Sequence, residues 1–149
     1  MVRKGLWLLV AVLCPSIAQA DERSQEAQLG VVKSYLEART ATMQVGAASA
    51  DVDRLLSFCT ASMVYEHPRV GIRLQGVESL RSGMQGFFGA SRNASITITS
   101  TLQGLDVVAA RTDVALEARR EATWEPVKRS QVWLFEFEGS KIKRIIEYW

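Results

Sequence analysis

Histidine and cysteine are scarce in this chain: it has one histidine and two cysteines among 149 residues. A single histidine with scattered acidic residues provides none of the usual ligand spacings for a metal ion. Neither a phosphate-binding glycine loop nor a nucleophile-elbow motif occurs in the sequence. We therefore predict no metal and no cofactor.

Long hydrophobic runs are also missing, because the apolar run over residues 5–13 is too short to span a membrane. The basic residues Arg3 and Lys4 precede this run, and the small residues Ala18 and Ala20 follow it. This order is typical of a secretory signal peptide, with cleavage expected after Ala20. The sequence thus predicts a leader over residues 1–20 and a periplasmic or secreted chain with no membrane contact after cleavage.

An uncleaved anchor is the alternative to a cleaved leader. Lipoprotein processing at Cys14 is disfavoured, since the residue before it is Leu13 where a small residue is required. Cleavage would leave Cys59 as the only cysteine, so no intrachain disulfide could form. Cys59 lies on the apolar side of a predicted helix, which indicates a buried and inert thiol.

Charge gives no indication of a nucleic-acid partner. The chain has 18 basic and 16 acidic residues, and two of the basic ones, Arg3 and Lys4, belong to the predicted leader. The remaining charges balance, so a basic surface for nucleic acid is not expected. Residues 21–149 are enough for one domain of ordinary size that is held by its own core.

Hydrophobic periodicity divides this domain into helices followed by strands. Apolar residues at helical spacing predict helices over residues 22–43, 51–59 and 77–88. Alternating patterns predict strands over residues 63–66, 95–102, 130–137 and 142–149, and a hairpin of residues 105–110 and 114–123 around Arg111-Thr112-Asp113. In the strand over residues 130–137, alternation puts Gln131, Trp133, Phe135 and Phe137 on one face. This order predicts an α+β domain with helices covering one face of a curved sheet.

The polar cluster at residues 65–69 contains the only histidine of the chain. Pro68 disfavours helix at the preceding residue, so His67 is expected where a short strand ends in a rigid turn. Imidazole is the side chain best suited to proton transfer near neutral pH. His67 is therefore a candidate catalytic residue, and a surface corner with an incidental histidine is the alternative.

Four groups of short segments stand in a particular order along the chain. They are Val-Val-Lys-Ser-Tyr-Leu at 31–36, Leu-Leu-Ser-Phe at 55–58 with Ala-Ser-Met-Val-Tyr at 61–65, Glu-His-Pro at 66–68 with Gly-Val-Glu-Ser-Leu at 76–80, and Gly-Ser-Lys-Ile at 139–142 with Glu-Tyr-Trp at 147–149. Together they resemble segments of the NTF2-like superfamily, and within it the SnoaL-like and ketosteroid-isomerase-like proteins. The likeness covers nearly all of residues 21–149.

The resemblance implies an NTF2-like cone, in which a strongly curved antiparallel sheet wraps around three N-terminal helices. Such a cone leaves an apolar cavity, and cavities of this kind bind small molecules. The implied partners are a small apolar molecule and a second copy of the chain in a homodimer. Because the family also contains proteins without catalysis, a non-catalytic binding or dimeric interaction module is the alternative to an enzyme.

The resemblance also implies two catalytic residues. His67 stands at the position of the family's general base, and Tyr35 matches the tyrosine that donates a hydrogen bond to the reacting oxygen. For Tyr35, an ordinary place in the helix core is the alternative. The family's second oxygen-stabilising acid falls on Val132, beside Gln131, and neither can serve as a neutral acid. Steroid isomerisation is therefore not expected. Isomerase, cyclase or lyase chemistry on another molecule is expected instead.

A second set of residues is predicted to bind the ligand: Tyr65, Val132, Leu134, Ile145, Glu147 and Trp149. Three of them, at positions 145, 147 and 149, share strand parity and so face the same side. For Glu147, a solvated position on the strand is the favoured interpretation and a catalytic acid the alternative. An exposed sheet face is expected for the basic residues Arg119, Arg120, Lys128 and Arg129.

Overall fold

The structure is a computed structural model that describes the backbone of residues 16–149 and the side chains of residues 22–149. It contains three α-helices, α1 (Ser16–Met43), α2 (Ser49–Leu56) and α3 (Val77–Met84). Six strands complete it: β1 (Cys59–His67), β2 (Ile72–Gln75), β3 (Ser91–Gly104), β4 (Val107–Arg120), β5 (Thr123–Glu138) and β6 (Lys141–Tyr148). Most of the predicted leader lies outside the described residues. Helix α1 begins at Ser16, which is within the predicted leader. In the described part of the chain, no helix has an apolar stretch of the length needed to cross a bilayer.

The six strands form one sheet in the order β2-β1-β6-β5-β4-β3. The predicted α+β class is confirmed, and the sheet that was expected to be antiparallel is mixed, because β1 and β6 are parallel. After β1 the chain passes through α3 and the three antiparallel strands β3, β4 and β5, and this long connection allows it to return beside β1 in the same direction. The last strand therefore lies between β1 and β5, where side chains from both neighbours reach it.

Strand β4 replaces the hairpin predicted around Arg111-Thr112-Asp113. It runs unbroken through these residues and pairs with β5 along its whole length. Thr112 is fully buried and accepts a 3.0 Å hydrogen bond from Nε1 of Trp133, while Arg111 and Asp113 face solvent. In sequence the polar triplet resembles a turn, because two of its members occupy the outer face of a strand. The turn lies at residues 105–106, where Asp106 has a positive φ of 55°.

Helices α2 and α3 are shorter than predicted. Helix α2 ends at Leu56, and Cys59, expected in this helix, opens β1 instead. Helix α3 ends at Met84, and the glycines that follow it oppose further helix. Gly83 allows α3 to lie close to β2, since a Cβ there would come within 2.6 Å of Cδ1 of Leu74.

The core lies between the helices and the inner face of the sheet. Tyr35 of α1 packs edge-on against Phe135 of β5, with ring centroids 5.6 Å apart. The alternation predicted for β5 is confirmed, because the four inward positions, Gln131, Trp133, Phe135 and Phe137, are all buried. Cys59 is also buried, and burial raises the pKa of its thiol to about 12, as expected for an inert cysteine.

Candidate functional site

A cavity of about 740 Å³ lies between the helices and the inner face of the sheet. Much of its wall is apolar, with side chains from α1, α3 and β2 to β4: Met43, Leu74, Leu80, Met84, Ile96, Val114 and Leu116. Exposed residues such as Val70 and Phe87 also line it, so the cavity opens to solvent. Its polar groups are contributed mainly by α1, β1, β5 and β6, and they form the candidate site.

His67 is the last residue of β1 and points into the cavity. Alternation along β1 puts Met63, Tyr65 and His67 on the inner face, and Pro68 begins a 3-10 turn directly afterwards. His67 is 2% exposed, and neither ring nitrogen has a hydrogen-bond partner in the described part of the chain. Its ring lies edge-on to Trp149, with centroids 4.8 Å apart. Among the described residues, both nitrogens of this buried imidazole are therefore without a hydrogen bond at the cavity wall.

Glu147 of β6 is a buried carboxylate at the same end of the cavity and is 3% exposed. The hydroxyl of Tyr65 on β1 donates a 2.5 Å hydrogen bond to its Oε2 atom. Nε2 of Gln131 on β5 donates a 3.1 Å hydrogen bond to its Oε1 atom. The solvated position favoured for Glu147 is therefore wrong, because β6 lies between two strands that each provide a donor.

Arg129 shares strand parity with Gln131 and also faces the cavity. Its Nε is buried without a partner among the described residues, and its Cζ lies 3.9 Å from the ring centroid of Trp149. Burial lowers the pKa of the guanidinium, and the nearby Glu147 carboxylate opposes this shift. The expected exposed position of Arg129 is wrong, although the alternation that places Gln131 inward also indicates Arg129.

Tyr35 and Arg39 lie one turn apart on α1 and both line the cavity. Tyr35 is 2% exposed, and burial raises the pKa of its hydroxyl well above the usual value. Burial and the Glu147 carboxylate do the same for the pKa of Tyr65. Both hydroxyls therefore remain protonated, as hydrogen-bond donors require. Sequence reasoning missed Arg39 as a cavity residue, although its spacing from Tyr35 indicates the same helix face.

Five of the eight predicted site residues line one cavity: Tyr35, Tyr65, His67, Glu147 and Trp149. The other three do not. Val132, which is 47% exposed, and Leu134 lie on the outer face of β5, so their predicted ligand contact is wrong. Ile145 has the correct parity but is fully buried in the core and does not reach the cavity.

Two charged neighbours of His67 in sequence point away from it. Glu66 accepts hydrogen bonds from Arg73 at 3.1 Å and from Arg144 at 2.8 Å on the outer face of β1. Arg69 donates a 2.9 Å hydrogen bond to the main-chain oxygen of Trp149. Neither forms a hydrogen bond or ion pair with the imidazole. In the described part of the chain, no group of three or more His, Cys, Asp or Glu residues is arranged to hold a metal ion.

The sequence profile of the SnoaL-like domain matches residues 40–145 of the chain. This match covers most of the sequence, including β1, β5 and all but the last residues of β6. No curated protein matches the chain.

Several solved structures have the same fold at low sequence identity. A protein assigned provisionally as a SnoaL-like polyketide cyclase from Shewanella denitrificans superposes with a TM-score of 0.69 at 11% identity, covering 81% of this chain and 88% of that one. A protein with a ketosteroid-isomerase-like fold from Catenulispora acidiphila, solved with trimethylamine, has a TM-score of 0.65 at 18% identity over 80% and 84% of the two chains. An LEH-like epoxide hydrolase from M. tuberculosis has a TM-score of 0.63 at 18% identity over 83% of each chain.

Proposed function

The chain belongs to the SnoaL-like domain family, and on this premise we propose that it binds a small apolar molecule and catalyses proton transfer on it. His67 acts as the general base, and Tyr35 donates a hydrogen bond to the reacting oxygen. The reaction class is that of an isomerase, cyclase or lyase. The observation that carries the proposal is the buried His67 imidazole, whose two nitrogens both lack a partner in the described part of the chain.

An unsatisfied buried imidazole is unusual, because buried polar groups in proteins nearly always have a hydrogen-bond partner. Leaving one without a partner costs about 1–3 kcal/mol. A ligand in the cavity would supply the missing partner and would bring its reacting atom to the free nitrogen. A base must reach the proton that it removes, and both His67 nitrogens are buried beside the Trp149 ring, so this ring has to shift before a molecule in the cavity can contact them.

Two further groups that line the same cavity support proton transfer. The Tyr35 hydroxyl stays protonated, because burial raises its pKa, and a protonated phenol can stabilise a developing oxyanion. Glu147 is held on the wall by Tyr65 and Gln131 and is a second proton acceptor. The solved relatives named as a polyketide cyclase and an epoxide hydrolase belong to the same broad class of small-molecule chemistry.

The test is exchange of the α-proton of a small ketone, 2-tetralone, in heavy water, followed by NMR. We expect His67→Gln to slow enzyme-dependent exchange by roughly 10²–10⁴-fold, and Tyr35→Phe to slow it by about 10²-fold. Arg54→Gln, on the exposed surface of α2, is the control and should keep the wild-type rate. A His67→Gln variant as active as the wild type would refute the assignment of the base.

Non-catalytic binding is a second candidate function, favoured by one specific observation. Catalytic bases are commonly oriented by a third group, and in the described part of the chain no side chain bonds to His67. Both oxygens of Glu147 already accept hydrogen bonds. Ketones that bind without any exchange above the buffer rate would support a binding module and remove the catalytic proposal.

Export is part of the proposal and is supported by the signal-peptide pattern of residues 1–20. The domain would act in the periplasm or outside the cell. N-terminal sequencing of the protein recovered from a bacterial periplasm or culture medium should give Asp21 as the first residue. Recovery of the intact chain from the cytosol alone would contradict export.

A homodimer is also proposed, with the outer face of the sheet as the contact. Val132 and Tyr148 are cross-strand neighbours on this face, and each is 47% exposed. Such a pair of apolar side chains is suited to contact with a second copy. Light scattering coupled to size exclusion should give twice the chain mass, and Val132→Glu should give the monomer. A wild-type protein that is monomeric at all concentrations would contradict the dimer.

A further inference from the structure

Arg39 and Arg129 face the cavity without an ion-pair partner in the described part of the chain, as does the exposed Arg119 of β4. Arg39 reaches the cavity from α1 and Arg129 from β5. Several other described arginines, among them Arg73, Arg81 and Arg144, pair with carboxylates. Neither Arg39 nor Arg129 has a carboxylate within 4.0 Å in the described part of the chain, and Nε of Arg129 is buried without any hydrogen-bond partner.

The two cations also act on each other. Burial and, to a smaller extent, the charge of Arg39 lower the pKa of Arg129, while the Glu147 carboxylate opposes this shift, and both guanidinium groups line one cavity. A negative charge in the cavity would offset the like charge of the two groups and would accept hydrogen bonds from their N–H donors. His67 faces the same cavity, and it is also buried without a hydrogen-bond partner in the described part of the chain. Polar groups at more than one position of the cavity wall therefore lack a partner.

The Glu147 carboxylate acts on Arg129 from nearby, but it forms no ion pair with Arg39 or Arg129 in the described part of the chain. Among the described residues that line the cavity, Glu147 is the only acidic one, against four arginines. Its two oxygens accept hydrogen bonds from Tyr65 and Gln131 rather than from a guanidinium. A guanidinium with a buried Nε normally pairs with a carboxylate or phosphate, and a bound molecule would provide that group for Arg129.

We propose that the cavity binds an apolar monocarboxylate, with its carboxylate between Arg39 and Arg129 and its chain along Met43, Leu80 and Met84. The Cζ atom of Arg129 lies 3.9 Å from the centroid of the Trp149 ring, and a guanidinium has five N–H donors that suit a planar carboxylate. A doubly charged phosphate fits less well, because the Glu147 carboxylate in the same cavity repels the second charge. This inference depends on the small-molecule binding proposed above and not on catalysis by His67.

The test compares three molecules with the same ten-carbon chain: decanoate, decanol and decylamine. Isothermal titration calorimetry measures their binding to the full chain below their micelle concentrations. We expect decanoate to bind roughly tenfold to a hundredfold more tightly than decanol, and decylamine to bind most weakly. Arg129→Gln and Arg39→Gln should each remove most of the preference for decanoate while leaving the affinity for decanol within about threefold.

Controls separate the possible outcomes. Arg54→Gln should keep the wild-type preference, and near-ultraviolet circular dichroism confirms that each variant is folded. His67→Gln should keep the preference for decanoate even if it abolishes proton transfer, so the two proposals can fail independently. Equal affinities for decanoate and decanol, or arginine variants that keep the preference, would overturn the anion site and leave only apolar binding. Tighter binding of decylamine would assign the site to cations, with Glu147 as the partner.

Discussion

The hydroxyl of Tyr65 donates a 2.5 Å hydrogen bond to Oε2 of Glu147, which connects β1 and β6 at the polar end of the cavity. Gln131 completes the contact from β5. Because β6 lies between these two strands, Glu147 has one donor on each side. A carboxylate that is only 3% exposed requires such hydrogen bonds. Because they join three strands, the polar wall of the cavity contributes to the stability of the fold.

The first prediction concerns Tyr65→Phe, which removes the hydroxyl and little else. One oxygen of Glu147 would then lose its hydrogen bond in a buried position. We expect the free energy of unfolding to fall by about 1–3 kcal/mol, the range for a buried polar group left without its partner. Urea denaturation followed by circular dichroism measures it. Tyr148→Phe is the matched control, and equal losses in the two variants would contradict the prediction.

The second prediction concerns alkaline pH and the two buried tyrosines. The pKa values of Tyr35 and Tyr65 are raised in the folded chain, mainly by burial and, for Tyr65, also by Glu147. Their contribution to stability is therefore fully present below about pH 10, where free tyrosine ionises, and is lost as the pH rises further. The measurement uses Tyr148→Phe, because this variant leaves Tyr35 and Tyr65 as the only tyrosines of the sequence. Its tyrosinate absorbance should stay low beyond about pH 10 and rise only as the chain unfolds. Ionisation of either tyrosine in the folded chain near pH 10 would contradict it.

The sequence was sufficient for most of the architecture, because helical and alternating periodicity follow directly from which face of an element is buried. It identified the inner face of β5 correctly. It failed at β4, where Arg111 and Asp113 look like turn residues although they occupy the solvent face of a long strand. It also missed the parallel β1–β6 pair, because periodicity within a strand carries no information about the direction of its neighbour.

The candidate site was harder to predict, because its residues meet only through the order of the strands. The alternation of side chains along β6 puts Glu147 and Ile145 on the same face. The burial of Glu147, however, depends on Tyr65 and Gln131, which are far away in sequence. Val132 was chosen by its match to a family position, and the strand alternation that puts its neighbour Gln131 inside excludes it. Arg129 could have been found by the same alternation, but a basic residue is usually assumed to be solvated.

The third prediction concerns the buried thiol of Cys59. Burial raises its pKa to about 12, so only a very small fraction is thiolate near pH 8. The folded chain should react with an aromatic disulfide reagent roughly a thousandfold more slowly than the unfolded chain. The measurement uses Cys14→Ser, which leaves Cys59 as the only cysteine. Rapid reaction under native conditions would show that Cys59 is accessible and would contradict its place in the core.

The fourth prediction concerns Trp149, whose ring contacts both His67 and Arg129. Removal of this ring in Trp149→Ala should expose the imidazole, whose nitrogens are buried in the wild-type chain. Diethylpyrocarbonate modifies accessible histidines, and with a single histidine its ultraviolet signal reports His67 alone. We expect modification to be at least about tenfold faster in Trp149→Ala, because the reaction requires local opening in the wild type. Trp124→Ala, which alters a ring that stacks on Arg92 away from His67, is the matched control. Equal rates in the wild type and Trp149→Ala would mean that Trp149 does not shield the imidazole, and His67 would then be reached through the cavity itself.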